Sequence, residues 1–149
     1  MLRVTRLTDY ATLSMTVLAS APTVVHSAAC LAERTRLELT TVSKVLKALA
    51  QAGLVDGVRG ASGGYRLARA PETVSLFEIV EAIEGKLGMT DCSSGETRCD
   101  LESHCGVAPY WRHVNDVIAD ALRGITLAQM IETTPPPAPS RRINSRLTT

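Results

Sequence analysis

Aromatic side chains are scarce in this chain, with one Trp, one Phe and three Tyr among 149 residues. A core with so few rings must be built from Leu, Val, Ile and Ala, which suits close helical packing. Long hydrophobic runs are also missing. No stretch reaches the roughly eighteen apolar residues that a spanning helix requires, so a membrane is not an expected partner. The opening residues, Met-Leu-Arg-Val-Thr-Arg-Leu-Thr-Asp, hold no apolar signal segment, and a cytoplasmic location is expected. No nucleophile–base arrangement or cofactor fingerprint appears outside the cysteines, so the chain does not read as an enzyme. Cysteine itself is sparse, but three of the four fall within fourteen residues. Clustered thiols in a cytoplasmic chain point to metal or redox chemistry rather than to structural disulfides.

The net charge of +1 conceals a division along the chain. Residues 1–70 carry nine Lys/Arg against four Asp/Glu, whereas residues 71–134 carry four against eleven. The last fifteen residues add three arginines. The first half is therefore the natural contact for a polyanion.

Helical periodicity places Leu7, Tyr10, Ala11, Val17 and Leu18 on one stripe, closed by Pro22. Ser27 is placed to cap a second, short helix to about Arg34, with Ala28, Leu31 and Ala32 inward and Cys30 as a small buried hydrophobe. A turn over 35–38 leads to a third helix, from about Thr40 to Ala52, stopped by Gly53. Leu39, Val42, Leu46 and Leu49 mark its inner face, and Thr40, Thr41, Ser43, Lys44 and Lys47 its outer one. Two short helices joined by a tight turn, the second with a Thr/Ser/Lys face, read as a helix-turn-helix. The runs 54–59 and 64–68 flank a Gly-rich tip and predict a β-hairpin, a wing with Arg59 and Arg66 beside its tip. An arginine there suits a DNA minor groove.

After Pro71, Ser75-Leu-Phe-Glu78 is a capping box opening a helix to about Glu84, with Leu76, Ile79, Val80 and Ile83 inward. Pro109 starts the longest helix, to about Arg123. Trp111, Val114, Ile118, Ala121, Ile125 and Ala128 form a heptad-like seam, widened by Val117 and Leu122, which reads as a dimerisation arm. A second capping box, Thr126–Gln129, opens a short last helix to about Glu132. The Pro-rich segment from Thr133 is expected to be disordered, its arginines adding weak attraction to DNA.

Between these helices lies Cys92-Ser-Ser-Gly-Glu-Thr-Arg-Cys99-Asp-Leu-Glu-Ser-His-Cys105. The loop is polar, so burial of apolar surface is not expected to fix it. Three soft thiolates on one such loop suggest a metal or iron–sulfur site. The spacing C-x6-C-x5-C is not that of a zinc ribbon.

In this order the pieces resemble the IscR–NsrR–RirA family of bacterial winged-helix regulators. The matching stretches are Arg6-Leu-Thr-Asp-Tyr-Ala11, Leu49-Ala-Gln-Ala-Gly-Leu-Val55 and Val58-Arg-Gly-Ala-Ser-Gly-Gly-Tyr-Arg-Leu67, followed by the cysteine loop, Trp111 and Ile125-Thr-Leu-Ala128. The resemblance spans about residues 1–132 and is nearest to members that regulate SUF-type iron–sulfur assembly genes. It implies a mainly α fold with a small β-hairpin wing. The implied division is a winged helix-turn-helix over 1–70, a connecting helix and linker over 71–91, the cysteine loop over 92–105, dimerisation helices over 106–132 and a tail over 133–149. It also implies a homodimer on double-stranded DNA, with Cys92, Cys99 and Cys105 ligating a [2Fe–2S] or [4Fe–4S] cluster. The expected role is repression of iron–sulfur assembly genes in the clustered state. An iron- or nitric-oxide-responsive repressor and a winged-helix protein with a structural zinc are the alternatives. The chain departs from the family's best-known spacing by one extra residue between the first two cysteines, and Ala108 stands where a histidine would follow. The fourth ligand is therefore open between Asp9, reached from the partner chain, and His104; His26 and His113 are taken as ordinary polar residues.

Overall fold

The computed structural model describes residues 3–95 and 99–132, Glu102 by its main chain only. The tail expected to be disordered lies outside the described residues.

The first helix, α1 (Arg6–Ala19), is capped by the Thr5 hydroxyl, which accepts from Thr8 N–H. Its inner face is Ala11, Met15 and Leu18, all fully buried, together with the polar Thr8 and Ser14. Leu7, Tyr10 and Val17 of the expected stripe are half-buried at the rim of the core. Ser14 tolerates burial because its hydroxyl donates to the Tyr10 carbonyl at 2.8 Å.

Helix α2 (Ala28–Thr35) starts at Ser27, whose hydroxyl accepts from Cys30 N–H at 3.1 Å. It ends at Arg36, a non-glycine residue in the left-handed region at φ 58°. The turn delivers α3 (Leu39–Gln51), whose Val42, Val45, Leu46 and Leu49 are fully buried. Leu39, expected on the inner face, is 51% exposed. It is the first residue of the helix, before the chain has closed onto the core. Gly53 follows with φ +74°, as its expected stop position requires.

Strands β1 (Val55–Val58) and β2 (Gly64–Leu67) pair antiparallel, with Val55 opposite Leu67 and Asp56 opposite Arg66. The hairpin is stitched to the chain ahead of α2. His26 N–H donates to the Tyr65 carbonyl at 2.8 Å, and Tyr65 N–H donates to the His26 carbonyl at 2.7 Å. The approach is so close that a Cβ on Gly64 would meet the His26 oxygen at 2.2 Å. Three helices with this hairpin form a winged helix-turn-helix.

Helix α4 (Leu76–Glu84) opens with the expected capping box, Ser75 and Glu78 each satisfying the other's backbone. Partial burial alone would raise the Glu78 carboxyl, but bonds from Ser75 N–H and Arg69 outweigh it and leave it lowered. A four-residue turn of helix, α5 (Asp91–Ser94), packs on α6 (Ala108–Arg123). Arg123 at the end of α6 lies over the Phe77 ring of α4, 4.1 Å from its centroid.

The chain then returns. Leu76 N–H donates to the Ile125 carbonyl and Leu127 N–H to the Val74 carbonyl, both at 2.8 Å. This bridge drops Leu127, the first residue of α7 (Leu127–Ile131), into the core against α1, where it is fully buried. The short helix grouped with the dimerisation segment from sequence thus completes the core of the N-terminal unit.

A longer-range contact ties α4 to α1. Thr5 N–H donates to Glu84 Oε1 at 2.9 Å, and the Thr8 hydroxyl donates to the same oxygen. The Thr8 hydroxyl holds the Glu84 carboxyl below the usual carboxylate range; partial burial opposes this, and Thr5 adds to it.

Two outcomes are expected. Leu127→Ala should lower unfolding stability by about 2–5 kcal/mol in urea titrations, the range for a buried Leu truncation. Glu84 has a lowered native pKa, so its contribution is complete above the ordinary carboxylate value of about 4.3 and is lost as pH falls through its native pKa. Glu84→Gln should therefore lower the unfolding midpoint most near pH 7 and progressively less as pH falls below about 5, flattening its pH dependence there.

Candidate functional site

The outer face of α3 carries every residue assigned to it from sequence. Thr40, Ser43, Lys44 and Lys47 are exposed and Thr41 is half-buried. The first turn of α3 has no acidic residue, and its N-cap residue Glu38 makes no side-chain cap hydrogen bond. The two wing arginines are separated. Arg59 stands where β1 turns toward the tip and lines the cleft between hairpin and α3. Arg66 lies on the other face of the hairpin, directly across from Asp56. Among the described residues, Lys44, Lys47, Arg59 and Arg66 make no salt bridge.

Two residues near this surface escaped the sequence reading. Tyr65 lines the same cleft, and Gln51 lies one helical turn beyond Lys47. The i, i+4 spacing of Lys47 and Gln51 was the signal that could have found the second. Nothing local marks Tyr65, whose position depends on its bonds to His26. His26 is not an ordinary exposed polar residue. It is 8% exposed, and its Nε2 has no hydrogen-bond partner. Burial, and then the Arg34 charge, lower its pKa. Cys30 is half-buried rather than buried, with Sγ 3.8 Å from His26 Nδ1.

The cysteine loop is anchored at its start by polar contacts. Thr90 and Ser93 cap each other, and Met89 N–H donates to Asn115 Oδ1 of α6 at 3.3 Å. Cys92 sits in α5 with Sγ 3.1 Å from Thr90 Oγ1. Cys105 follows a short 3-10 turn, Glu102–His104. Cys92, Cys99 and Cys105 are all free and half-buried, while His104 and Asp9 are exposed. Their donor chemistry fits a soft metal or iron–sulfur group. The geometry of the single chain does not yet gather them: among the described residues, no three His, Cys, Asp or Glu side chains converge on one point.

Beyond the loop, α6 buries Ala108, Asn115 and Ala119 toward its own chain. The first part of the expected seam faces out, with Trp111 42%, Val114 38% and the flanking Val117 54% exposed, whereas Ile118, Leu122, Ile125 and Ala128 are half-buried. Among the described residues, no helix is long and apolar enough to cross a membrane.

A family model, Rrf2, described as an iron-dependent transcriptional regulator, matches residues 4–133. The chain belongs to the Rrf2 family. Among Rrf2-related proteins, aau3 of Rhizobium meliloti (strain 1021) is 34% identical over 93 residues, which make up 62% of this chain and 60% of that protein. The chain thus spans about 60% of that relative's length. The solved IscR of T. potens is 30% identical, with a TM-score of 0.67 over 87% of this chain and 86% of that one. CymR (YrzC), the global cysteine regulator of B. subtilis, has a TM-score of 0.72 at 25% identity, covering 91% of this chain and 100% of that one. These comparisons place the chain among Rrf2-type transcriptional regulators and give it the fold of the solved IscR.

Proposed function

We propose that this Rrf2 protein is a homodimeric repressor that binds double-stranded DNA and holds an iron–sulfur cluster on Cys92, Cys99 and Cys105, with Asp9 of the partner chain or His104 as fourth ligand. Its targets are SUF-type iron–sulfur assembly genes. The observation that carries this reading is the placement of three free, half-buried thiols on a polar loop at the head of α6, with an uncovered cationic helix face in the same chain. The family description adds iron dependence, and the resemblance to IscR-type regulators adds the cluster.

The residues of the chain supply the coupling. The stripe of Trp111, Val114 and Val117 meets its counterpart in a second copy, because solvent is a poor neighbour for a run of large apolar side chains. The far end of α6 is fixed to the DNA-binding unit through Ile125 and Leu127. The near end is joined to the loop. Ordering of the loop therefore sets the tilt of α6 and with it the separation of two α3 helices, and half-site spacing on DNA is fixed by the duplex. A bound cluster would supply a group sensitive to iron supply and oxidants that ties three loop positions together. On α3, Thr40, Thr41 and Ser43 reach base edges, whereas Lys44 and Lys47 meet phosphates; Arg59 and Arg66 extend the contact from the wing.

Protein purified without oxygen should show visible charge-transfer absorption and near-equal iron and sulfide per chain. Cys99→Ala should abolish the absorption and leave the far-ultraviolet circular dichroism of the helices intact. An undiminished chromophore in that variant, or a colourless wild type carrying zinc after attempted reconstitution, would remove the cluster assignment. Lys44→Ala should weaken operator binding and reduce the slope of log K against log salt by about 0.9, the value for one lost phosphate contact. Unchanged affinity and slope would sink the placement of α3 on DNA.

A further inference from the structure

We infer that Cys30, paired with the buried imidazole of His26, is a hydroperoxide-reactive thiol whose oxidation loosens the joint between the wing and the entry of α2 and so weakens DNA binding. The switch rests on the DNA-binding reading above; the reactive thiol does not.

A single cysteine in a helix of small residues is ordinarily packing, and the neighbouring side chain sets this one apart. His26 is 8% exposed, its Nε2 has no hydrogen-bond partner, and its Nδ1 lies 3.8 Å from Cys30 Sγ. A buried polar atom left unsatisfied is costly. The bonds that His26 makes to Tyr65 come from its main chain, which any residue with an N–H could supply, so the joint does not account for an imidazole. What the ring does meet is the sulfur. Burial and the Arg34 charge lower its pKa, which favours the form that takes up a proton.

Cys30 itself is half-buried, so a small solute can reach Sγ. It is the third residue of α2, in a first turn with no acidic side chain, and its N–H donates to the Ser27 hydroxyl at 3.1 Å. Arg34 follows at the i, i+4 spacing that places it on the same side of the helix. A proton acceptor, a reachable sulfur and a nearby cation thus share one corner of the fold, the arrangement that activates a thiol as nucleophile.

In the reaction, Sγ attacks the terminal oxygen of a hydroperoxide, ROOH. An S–O bond forms and the O–O bond breaks. Sulfur loses two electrons, and the peroxide is reduced to ROH. The thiol proton passes by way of His26 to the departing oxygen, leaving Cys30 as a sulfenic acid. The added oxygen must be housed beside a main chain with no slack. His26 is paired with Tyr65 at both its N–H and its carbonyl, and a Cβ on Gly64 would meet the His26 oxygen at 2.2 Å. A shift of the ring is therefore passed to the hairpin that carries Arg59.

The test treats the full chain with hydrogen peroxide and dimedone, which traps sulfenic acids, and then digests it with trypsin. Cys30 falls on the peptide 7–34, which holds no other cysteine. Wild type should carry the adduct there, and Cys30→Ser should carry none. His26→Gln should slow its formation on the order of a hundredfold, the low end for a lost proton-transfer group. In samples without dimedone, fluorescence anisotropy on duplex DNA follows binding. Oxidised wild type should bind about tenfold more weakly than Cys30→Ser treated alike, the effect of disturbing one buried hydrogen bond. That comparison cancels any change arising in the cysteine loop. Excess dithiol should restore binding. Circular dichroism checks folding, and Cys30→Ser carries the test should His26→Gln not fold. No adduct on 7–34 would overturn the reactive thiol, and an equal rate in folded His26→Gln would overturn the pairing. An adduct with binding no weaker than in oxidised Cys30→Ser would overturn the switch. Failure of the untreated protein to bind duplex would remove the DNA reading instead, with the adduct still deciding the thiol.

Discussion

The return of the chain onto itself sets the geometry of everything else. Val74–Leu76 and Ile125–Leu127 run antiparallel through two backbone hydrogen bonds, and this contact delivers Leu127 into a core shared by α1 to α4 and the hairpin strands. It is reinforced from outside by Arg123 over Phe77. Without it, α6 would be held to the rest of the chain only by its packing on α4 and α5. With it, the C-terminal end of α6 is fixed to the winged-helix unit. Over 16 residues the helix is about 24 Å long, so a small rotation at the bridge becomes a displacement of several ångströms at the head.

The DNA-facing side has its own point of fixation, the paired main chains of His26 and Tyr65. The segment before α2 acts as a third edge for the hairpin, and Gly64 is the residue that permits the approach. The wing is therefore not an appendage on two strands. Its orientation toward α3 is set by α2's entry, so the two halves of the proposed DNA contact share one rigid frame. Burial of the His26 side chain follows from that contact, and its lowered basicity follows from the burial and the nearby Arg34.

Much of this was legible in the residues, because the signals were local. Ser27, Ser75 and Thr126 each cap the helix their sequence context predicts, and Gly53 ends α3 where periodicity stops. The outer face of α3 was readable because Thr, Ser and Lys alternate there with a Val/Leu stripe at helical spacing. What was not legible depends on partners distant in the chain. Nothing local marks Thr8 as buried, yet it is buried and its hydroxyl donates to Glu84, 76 residues away. Leu127 has no place in the predicted seam, yet the bridge to Val74 carries it into the core. Leu39 fits the apolar stripe of α3, but a helix's first residue can lie beyond the edge of the core it starts from. The cysteine loop was recognisable by its residue types, while among the described residues its sulfurs do not converge on one point.

The bridge also bears on why the loop can differ in length from its relatives. Met89 is held to Asn115 at one side of the loop, and α6 is held at its base on the other, so the frame closes whatever the loop's exact length. Closing a flexible loop costs free energy that grows only with the logarithm of its length, so one residue added to about fourteen changes it by roughly a tenth of a kcal/mol. The extra residue between Cys92 and Cys99 is thus nearly neutral for folding. Loop length in such a frame is open to drift, and selection can act on what the loop holds without disturbing the structure that carries it.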